Sequence, residues 1–210
     1  MKKITMLLAT TALLLMFMVN SAMATTYRNP AYSVGAGKMG GALLLSDPKL
    51  ALMLDYGLSN EGTISGVFEN MDIGFGEAGT GFGVNYGHIF SKTTISGKPS
   101  IIAGLGRYTM GSVGGGDYTQ MDVGGGLSMA LSKQANVYGL AAYRRFTWEY
   151  TFTFFGVSQT VSVSEAEIGV ALGGDYAVNN QFTVGGELHV GFSNTTSDGD
   201  TFGLWGAYKF

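Results

Sequence analysis

Ionisable side chains recur at two-residue intervals along this chain, and that spacing limits the chemistry open to them. Asp55, Asp72, Asp122, Arg145, Glu149, Glu165, Glu167, Glu187, His189 and Lys209 stand in alternating segments on the parity opposite the apolar residues. A period of two puts alternate side chains on one face of a strand. Carboxylates gathered on one face could line a conducting pore. Beside an arginine or a lysine they would form internal ion pairs instead, since buried charges must be paired. Acids outnumber bases in this set. An interior network is therefore expected to keep some carboxylates protonated, or to hold a cation or water.

His189 and Ser193 could in principle serve as base and nucleophile. One family of lipid A deacylases is a small barrel with a His-x-Ser pair. In this chain the string is His189-Val190-Gly191-Phe192-Ser193, two residues too long, which separates the two side chains by about 13 Å along a strand. Geometry precedes pKa in such an assignment. Omptin-type proteases use Asp and His pairs and resemble this chain in strand count. Those barrels rise far above the membrane, which this chain is too short to do. His88 falls on the apolar parity near a segment end and is expected at a membrane interface. Gly35-Ala36-Gly37-Lys38-Met39-Gly40 matches a dinucleotide fingerprint by pattern only, because no parallel strand, helix or βαβ unit surrounds it. Asn194-Thr195-Thr196 is a sequon by pattern alone, and Asp198-Gly199-Asp200 reads as a solvated turn. No catalytic set, metal site or cofactor is expected.

The elements that carry these residues follow one rule: about ten residues, apolar on one parity, and Gly, Ser, Thr and acids on the other. The expected strands are Tyr32–Met39, Leu50–Leu58, Thr63–Gly76, Gly81–Phe90, Ser100–Met110 and Tyr118–Leu131. A long one starts at Val137, another ends at Ala177, and Phe182–Phe192 and Thr201–Phe210 close the series. Ile64, Val67 and Phe68 break parity in the third, which predicts a bulge. In the seventh, Tyr138, Leu140, Ala142, Phe146, Trp148, Tyr150 and Phe152 are expected outward, with Arg144 the misfit. Continuous charge pairing with Trp205 and Tyr143 as fillers would mean a plugged interior, and a water-filled lane would mean conduction. The expected outer loops are Gly40–Lys49, Glu77–Thr80, Gly111–Asp117, Thr153–Ser162 and Ser193–Asp200. Aromatics cluster at both segment ends, as two girdles at lipid–water boundaries would.

Targeting and composition agree with a membrane barrel. Lys2 and Lys3, an apolar run over Met6–Val19, and Ala22-Met23-Ala24 form a secretory signal peptide over residues 1–24, leaving 25–210 as one domain. Without Lys2 and Lys3, 10 of the 12 basic residues face 15 acidic ones, a net charge of about −5. No basic patch suggests nucleic acid. There is no Cys, so neither a disulfide framework nor a lipid-modified Cys is available. Gly is abundant at 34 and Pro scarce at 3, without a Gly-X-Y period, which excludes collagen. Mean hydropathy is positive, yet no segment of the mature chain has 18 consecutive apolar residues, the length that a membrane helix requires. Hydrophobicity spread over alternating strands can cross lipid only in a closed barrel, where every backbone donor is paired.

The chain ends Thr201-Phe202-Gly203-Leu204-Trp205-Gly206-Ala207-Tyr208-Lys209-Phe210. Phe202, Leu204, Gly206, Tyr208 and Phe210 share a parity, and this strand resembles the C-terminal signal strand of bacterial outer-membrane β-barrels. The whole mature chain resembles the small barrels grouped with outer membrane protein A and the opacity-type surface proteins. The resemblance implies an all-β, closed, antiparallel up-and-down barrel of ten strands, with eight as the alternative and the residues before Ser59 then in a leader or plug. It also implies an outer-membrane location, recognition of the terminal strand by the barrel-assembly machinery, and contact with outer-membrane lipid and lipopolysaccharide.

The expected role is non-enzymatic, structural or through surface contact, with a narrow channel for ions or small solutes as the alternative. Phe152–Val163, uncharged and joining the two longest strands, is expected to project as a hairpin. It would either meet an extracellular partner or lie against neighbouring loops and lipopolysaccharide.

Overall fold

The computed structural model describes residues 28–46, 49–72, 78–109, 116–154, 157–192 and 201–210. Residues 1–27, 47–48, 73–77, 110–115, 155–156 and 193–200 lie outside the described residues, and the expected signal peptide, Ser193, the sequon and Asp198–Asp200 with them.

Ten antiparallel strands close into one barrel in the order β1-β10-β9-β8-β7-β6-β5-β4-β3-β2. They are β1 Met39–Ser46, β2 Lys49–Gly57, β3 Gly62–Asp72, β4 Ala78–Ile89, β5 Lys98–Thr109, β6 Gly116–Ala130, β7 Ala135–Phe154, β8 Val157–Ala177, β9 Phe182–Phe192 and β10 Thr201–Lys209. Each strand pairs with its sequence neighbour, and β1 pairs with β10 from Gly40↔Lys209 to Ser46↔Gly203. The Phe210 N–H then donates to the Met39 carbonyl at 3.0 Å. Closure leaves no sheet edge, which is the condition for a sheet to sit in lipid.

Polarity is inverted relative to a water-soluble fold. On β2, Ala51, Met53 and Asp55 are buried while Leu50, Leu52 and Leu54 are exposed, Leu52 at 49%. The same holds for Phe82, Val84 and Tyr86 on β4, Met121, Val123 and Leu127 on β6, and Phe202, Leu204 and Tyr208 on β10. The largest fully buried side chains are Arg144, His189, Glu187 and Asp55. An apolar exterior around a charged interior is stable only where the surrounding solvent is hydrocarbon.

Four sequence expectations are corrected. β1 is Met39–Ser46, not Tyr32–Met39, so the expected Gly40–Lys49 loop is largely strand. Leu43, Leu44 and Leu45 are apolar on both parities and conceal the alternation: Leu43 and Leu45 face out, and Leu44 is buried. β3 runs in continuous register with β2 and β4, with no bulge. Its even residues Ile64 and Phe68 face out, and Val67 is buried as a core residue. On β7 the facing is reversed. Tyr138, Leu140, Ala142, Arg144 and Phe146 are buried and Tyr143 is exposed. Arg144 is thus an interior residue on an interior parity, and Tyr143 is no filler. Lastly, residues 28–38 are not part of the wall and turn into the barrel.

Three of the four turns at the end where β1 begins and β10 ends, those after β2, β6 and β8, share one construction. Ser59 accepts from Glu61 N and Gly62 N, Ser132 from Gln134 N and Ala135 N, and Asn179 from Gln181 N and Phe182 N, all between 2.7 and 3.1 Å. In each, the acceptor oxygen sits at the first turn position and satisfies two backbone donors that the reversal would leave free. Replacing Ser59, Ser132 or Asn179 by Ala should each lower stability by about 1 kcal/mol. Urea unfolding in lipid vesicles would measure this, and three unchanged midpoints would remove the capping role. A further tie joins two of the turns: Ser91, between β4 and β5, donates its hydroxyl to Glu61. That hydrogen bond holds the Glu61 carboxyl below its ordinary pKa. His88 stacks on Tyr86 and meets Phe90 edge-on at the same end, on the outer face. The Tyr86 hydroxyl and His88 Nδ1 lie 3.2 Å apart.

Candidate functional site: the barrel lumen

The described side chains fill the lumen in layers. At the end where β1 begins and β10 ends, residues 28–38 enter the barrel and reverse into β1 through Gly35 and Gly37. Both take positive φ, +89° and +68°, where a side chain would be strained. Gly37 N then donates to the Gly57 carbonyl at 2.8 Å.

Inside, Arg28 grips the Asp55 carboxylate with two hydrogen bonds, Nη1–Oδ2 at 2.7 Å and Nη2–Oδ1 at 3.1 Å. Ser65 donates to the same carboxylate at 2.6 Å. Asn29 donates to Asp175 and to Ser128 at 3.3 Å, and Asn136 completes Asp175 at 2.7 Å. Tyr32 lies between cations, with Arg28 at 4.0 Å and Lys209 at 4.8 Å from its ring centre. Its edge meets Trp205. Bidentate pairing and cation–π contact both strengthen where water is excluded.

The middle layer is aromatic. Trp205 Nε1 donates to the Tyr138 hydroxyl at 3.2 Å, which donates to Glu187 Oε2 at 3.0 Å. These rings fit because glycine stands opposite them. A Cβ at Gly173 would fall 2.4 Å from Tyr138, and one at Gly185 2.4 Å from Trp205.

The third layer is built by register. Asp122, Arg144 and Glu167 occupy one row across β6, β7 and β8. Arg144 Nε donates to Asp122 Oδ1 at 2.6 Å, and Nη1 to Glu167 Oε1 at 3.0 Å. Gln120 takes the second Asp122 oxygen at 2.7 Å. Phe146 lies beside the guanidinium, 5.7 Å from Cζ to ring centre.

Among the described residues a cavity of about 90 Å³ lies along the β2–β6 wall, above Arg28 and Tyr32 and bordered by Glu69, Asn85, Gln120 and Asp122. That is room for a few waters.

Of the residues expected to meet inside, Asp55, Asp122, Glu167, Glu187, His189 and Lys209 face the lumen in these layers, and Glu165 lies on the same face of β8. Arg145 and Glu149 do not. Both are exposed on the outer parity of β7, a consequence of the reversed facing. The side chain of Asp72 lies outside the description. Sequence reasoning missed Arg28, Asn29, Tyr32 and Arg144. Only Arg144 carried a signal, as a lone charge on an otherwise apolar parity. The five alternating residues of the terminal strand occupy β10 and the Phe210 that follows it. Phe202, Leu204, Tyr208 and Phe210 are exposed to the membrane side, and Phe210 meets Tyr208 edge-on.

No group of three His, Asp or Glu residues able to hold a metal occurs among the described residues. His189 is buried within the wall.

No protein-family model matches the chain. A search of curated proteins likewise gives no match. Solved barrels are similar in shape. They include the N-terminal β-barrel domain of OprF from Pseudomonas aeruginosa, at 12% identity over 84% of this chain and 99% of that one, TM-score 0.38. Neisserial surface protein A gives 13% over 83% and 98%, TM-score 0.44. The KdgM porin, solved in complex with disordered oligogalacturonate, gives 12% over 82% and 99%, TM-score 0.43. The likeness concerns barrel architecture, which the strand register of this chain already establishes.

Proposed function

We propose that this chain is an integral protein of the bacterial outer membrane with a sealed lumen, no catalytic role, and a working surface at its outer end. The supporting observation is the filled interior. Arg144, Phe146, Tyr138, Trp205 and the segment 28–38 occupy much of the lumen, which supports a role carried by the outside of the barrel. Residues 1–24 are removed on export in this reading, and 25–210 form the single barrel domain. The assembly machinery reads β10 and Phe210.

The working surface is the β7–β8 hairpin. These strands are 20 and 21 residues long against 8 and 9 for β1 and β2. Residues 157–162 are exposed on both parities. The hairpin is held straight by cross-strand hydroxyl pairs, Thr147–Ser164 at 3.1 Å and Thr151–Thr160 at 3.0 Å. Its outer part, Phe152–Val163, offers exposed Val157 and Val161 to an extracellular partner.

Single-channel recording on the refolded mature protein in a planar bilayer tests the sealed lumen. A silent membrane is expected, with insertion verified by the faster migration of the unheated protein on a denaturing gel. Discrete, reproducible conductance steps from that folded form would overturn the sealed reading in favour of a narrow channel.

A further inference from the structure

We propose that the outer face of β5–β8, at the upper edge of the apolar belt, binds the phosphorylated headgroup of a membrane glycolipid, with Arg145 as anchor and Arg107 beside it. The inference rests on the reading that the barrel spans a bilayer.

The strand register aligns outward residues into rows across β5, β6, β7 and β8. Ala103–Val123–Tyr143–Ile168 form one row, Leu105–Met121–Arg145–Ala166 the next, Arg107–Thr119–Thr147–Ser164 the third and Thr109–Asp117–Glu149–Ser162 the fourth. The first row is apolar apart from one phenol, and the third and fourth are hydroxyl and charge. Polarity therefore turns over within one row, a step of about 7 Å along the strands. On each of these strands that step is where hydrocarbon would give way to headgroups.

Arg145 sits in the boundary row, exposed, with Met121 and Ala166 as its cross-strand neighbours and no ion pair among the described residues. An unpaired cation at the lipid edge is costly unless it reaches an anion in the headgroup layer. Arg107 is two strands away and one row higher. It holds Asp117 at 2.8 Å while its side chain stays 71% exposed, so donors of the guanidinium face outward. Between the two arginines lie Thr119 and Thr147, with Ser164 beside them.

The acids Asp117 and Glu149 stand in the row above and would repel phosphate, which fixes the ligand's orientation. Its phosphate must lie low, between the arginines, with sugar hydroxyls rising along the threonines. Acyl chains would then run down over Leu105, Met121 and Tyr143. A soluble phosphate would gain nothing from that apolar shelf, so a lipid is the better fit. Planar bidentate pairing suits Arg to this task more than Lys.

The test uses the mature barrel in phosphatidylcholine nanodiscs doped with diphosphoryl lipid A or with the same lipid dephosphorylated. Native mass spectrometry reads the glycolipid retained on the protein after extraction. The wild type should retain the phosphorylated form. Arg145→Gln should retain about ten-fold less, and the double variant Arg145→Gln/Arg107→Gln should retain none above background. Arg145→Lys should fall between and guards against loss through misfolding, which the gel mobility of each variant also reports. Equal retention by Arg145→Gln and wild type would overturn the site, as would equal retention of the dephosphorylated lipid. A barrel that never enters the nanodisc would overturn the membrane reading itself, whereas a barrel that inserts without retaining lipid defeats this inference alone.

Discussion

Replacing Arg144 by Met should destabilise the refolded barrel by about 3–5 kcal/mol, because two carboxylates then share the interior with no cation between them. Asp122 and Glu167 lie in one row with Arg144 and touch it at 2.6 and 3.0 Å. The side chain of Arg144 is 2% exposed and those of its partners 10% and 14%, so solvent screens the three only weakly. Methionine matches much of the arginine volume, which limits the cavity contribution to the loss. Urea unfolding in lipid vesicles, followed by tryptophan emission, measures the change. Adding Asp122→Asn and Glu167→Gln to the same chain should recover most of it, since the charges that needed the arginine are gone. A loss below about 1 kcal/mol in the single variant would show that Arg144 is not the neutralising centre of the interior.

Deleting Arg28–Val34 should make the barrel conduct cations, where the intact barrel is expected to be silent. These residues form the floor under the cavity along the β2–β6 wall. Their removal takes away the guanidinium on Asp55, the Asn29 amide on Asp175 and the Tyr32 ring beside Trp205. The lane left behind is lined by Asp55, Glu69 and Asp122, with Arg144 at its far side, so negative charge dominates and cations should carry most of the current. The deletion should leave the ten-strand closure intact, because none of its residues contributes a rung to a strand pair. Reversal potentials under a salt gradient read the selectivity. A folded deletion variant that stays silent would mean that the aromatic and Arg144 layers seal the lumen unaided. An anion preference would mean that Lys209 and Arg144 set the field instead.

The terminal strand shows how far sequence reaches in this fold. Phe202, Leu204, Gly206, Tyr208 and Phe210 alternate without interruption, and β10 ends one residue short of the chain end with these positions facing the membrane. The second, fourth, sixth, eighth and ninth strands were as readable, since each has one parity of apolar residues and one of small or polar ones. On β8, Ile168 and Leu172 face out while Glu167, Ala171 and Asp175 face in.

The seventh strand was misread for a physical reason. Tyr138, Leu140, Ala142 and Phe146 make its even parity apolar, but Ala141 and Tyr143 make the odd parity apolar as well. The choice of inner face then falls to Arg144, whose partners lie on other strands. The first strand failed similarly at Leu43-Leu44-Leu45, where Leu44 packs inside against Ala51 and Trp205.

The sequence by itself determined the class of this protein: alternating strands, short polar turns at one end, an apolar face and a terminal aromatic. These are local properties, set by the two-residue period of a strand and by the demand of lipid that every backbone group be paired. The tertiary structure alone decided which face of β7 points inward, that residues 28–38 fold into the lumen rather than into the wall, and that Arg144 meets Asp122 and Glu167. Those outcomes depend on register across a closed ring. Pairing of β7 with β6 and β8 brings Arg144 within hydrogen-bond distance of residues 22 and 23 positions away in the chain, and no single strand carries the information that fixes such a row.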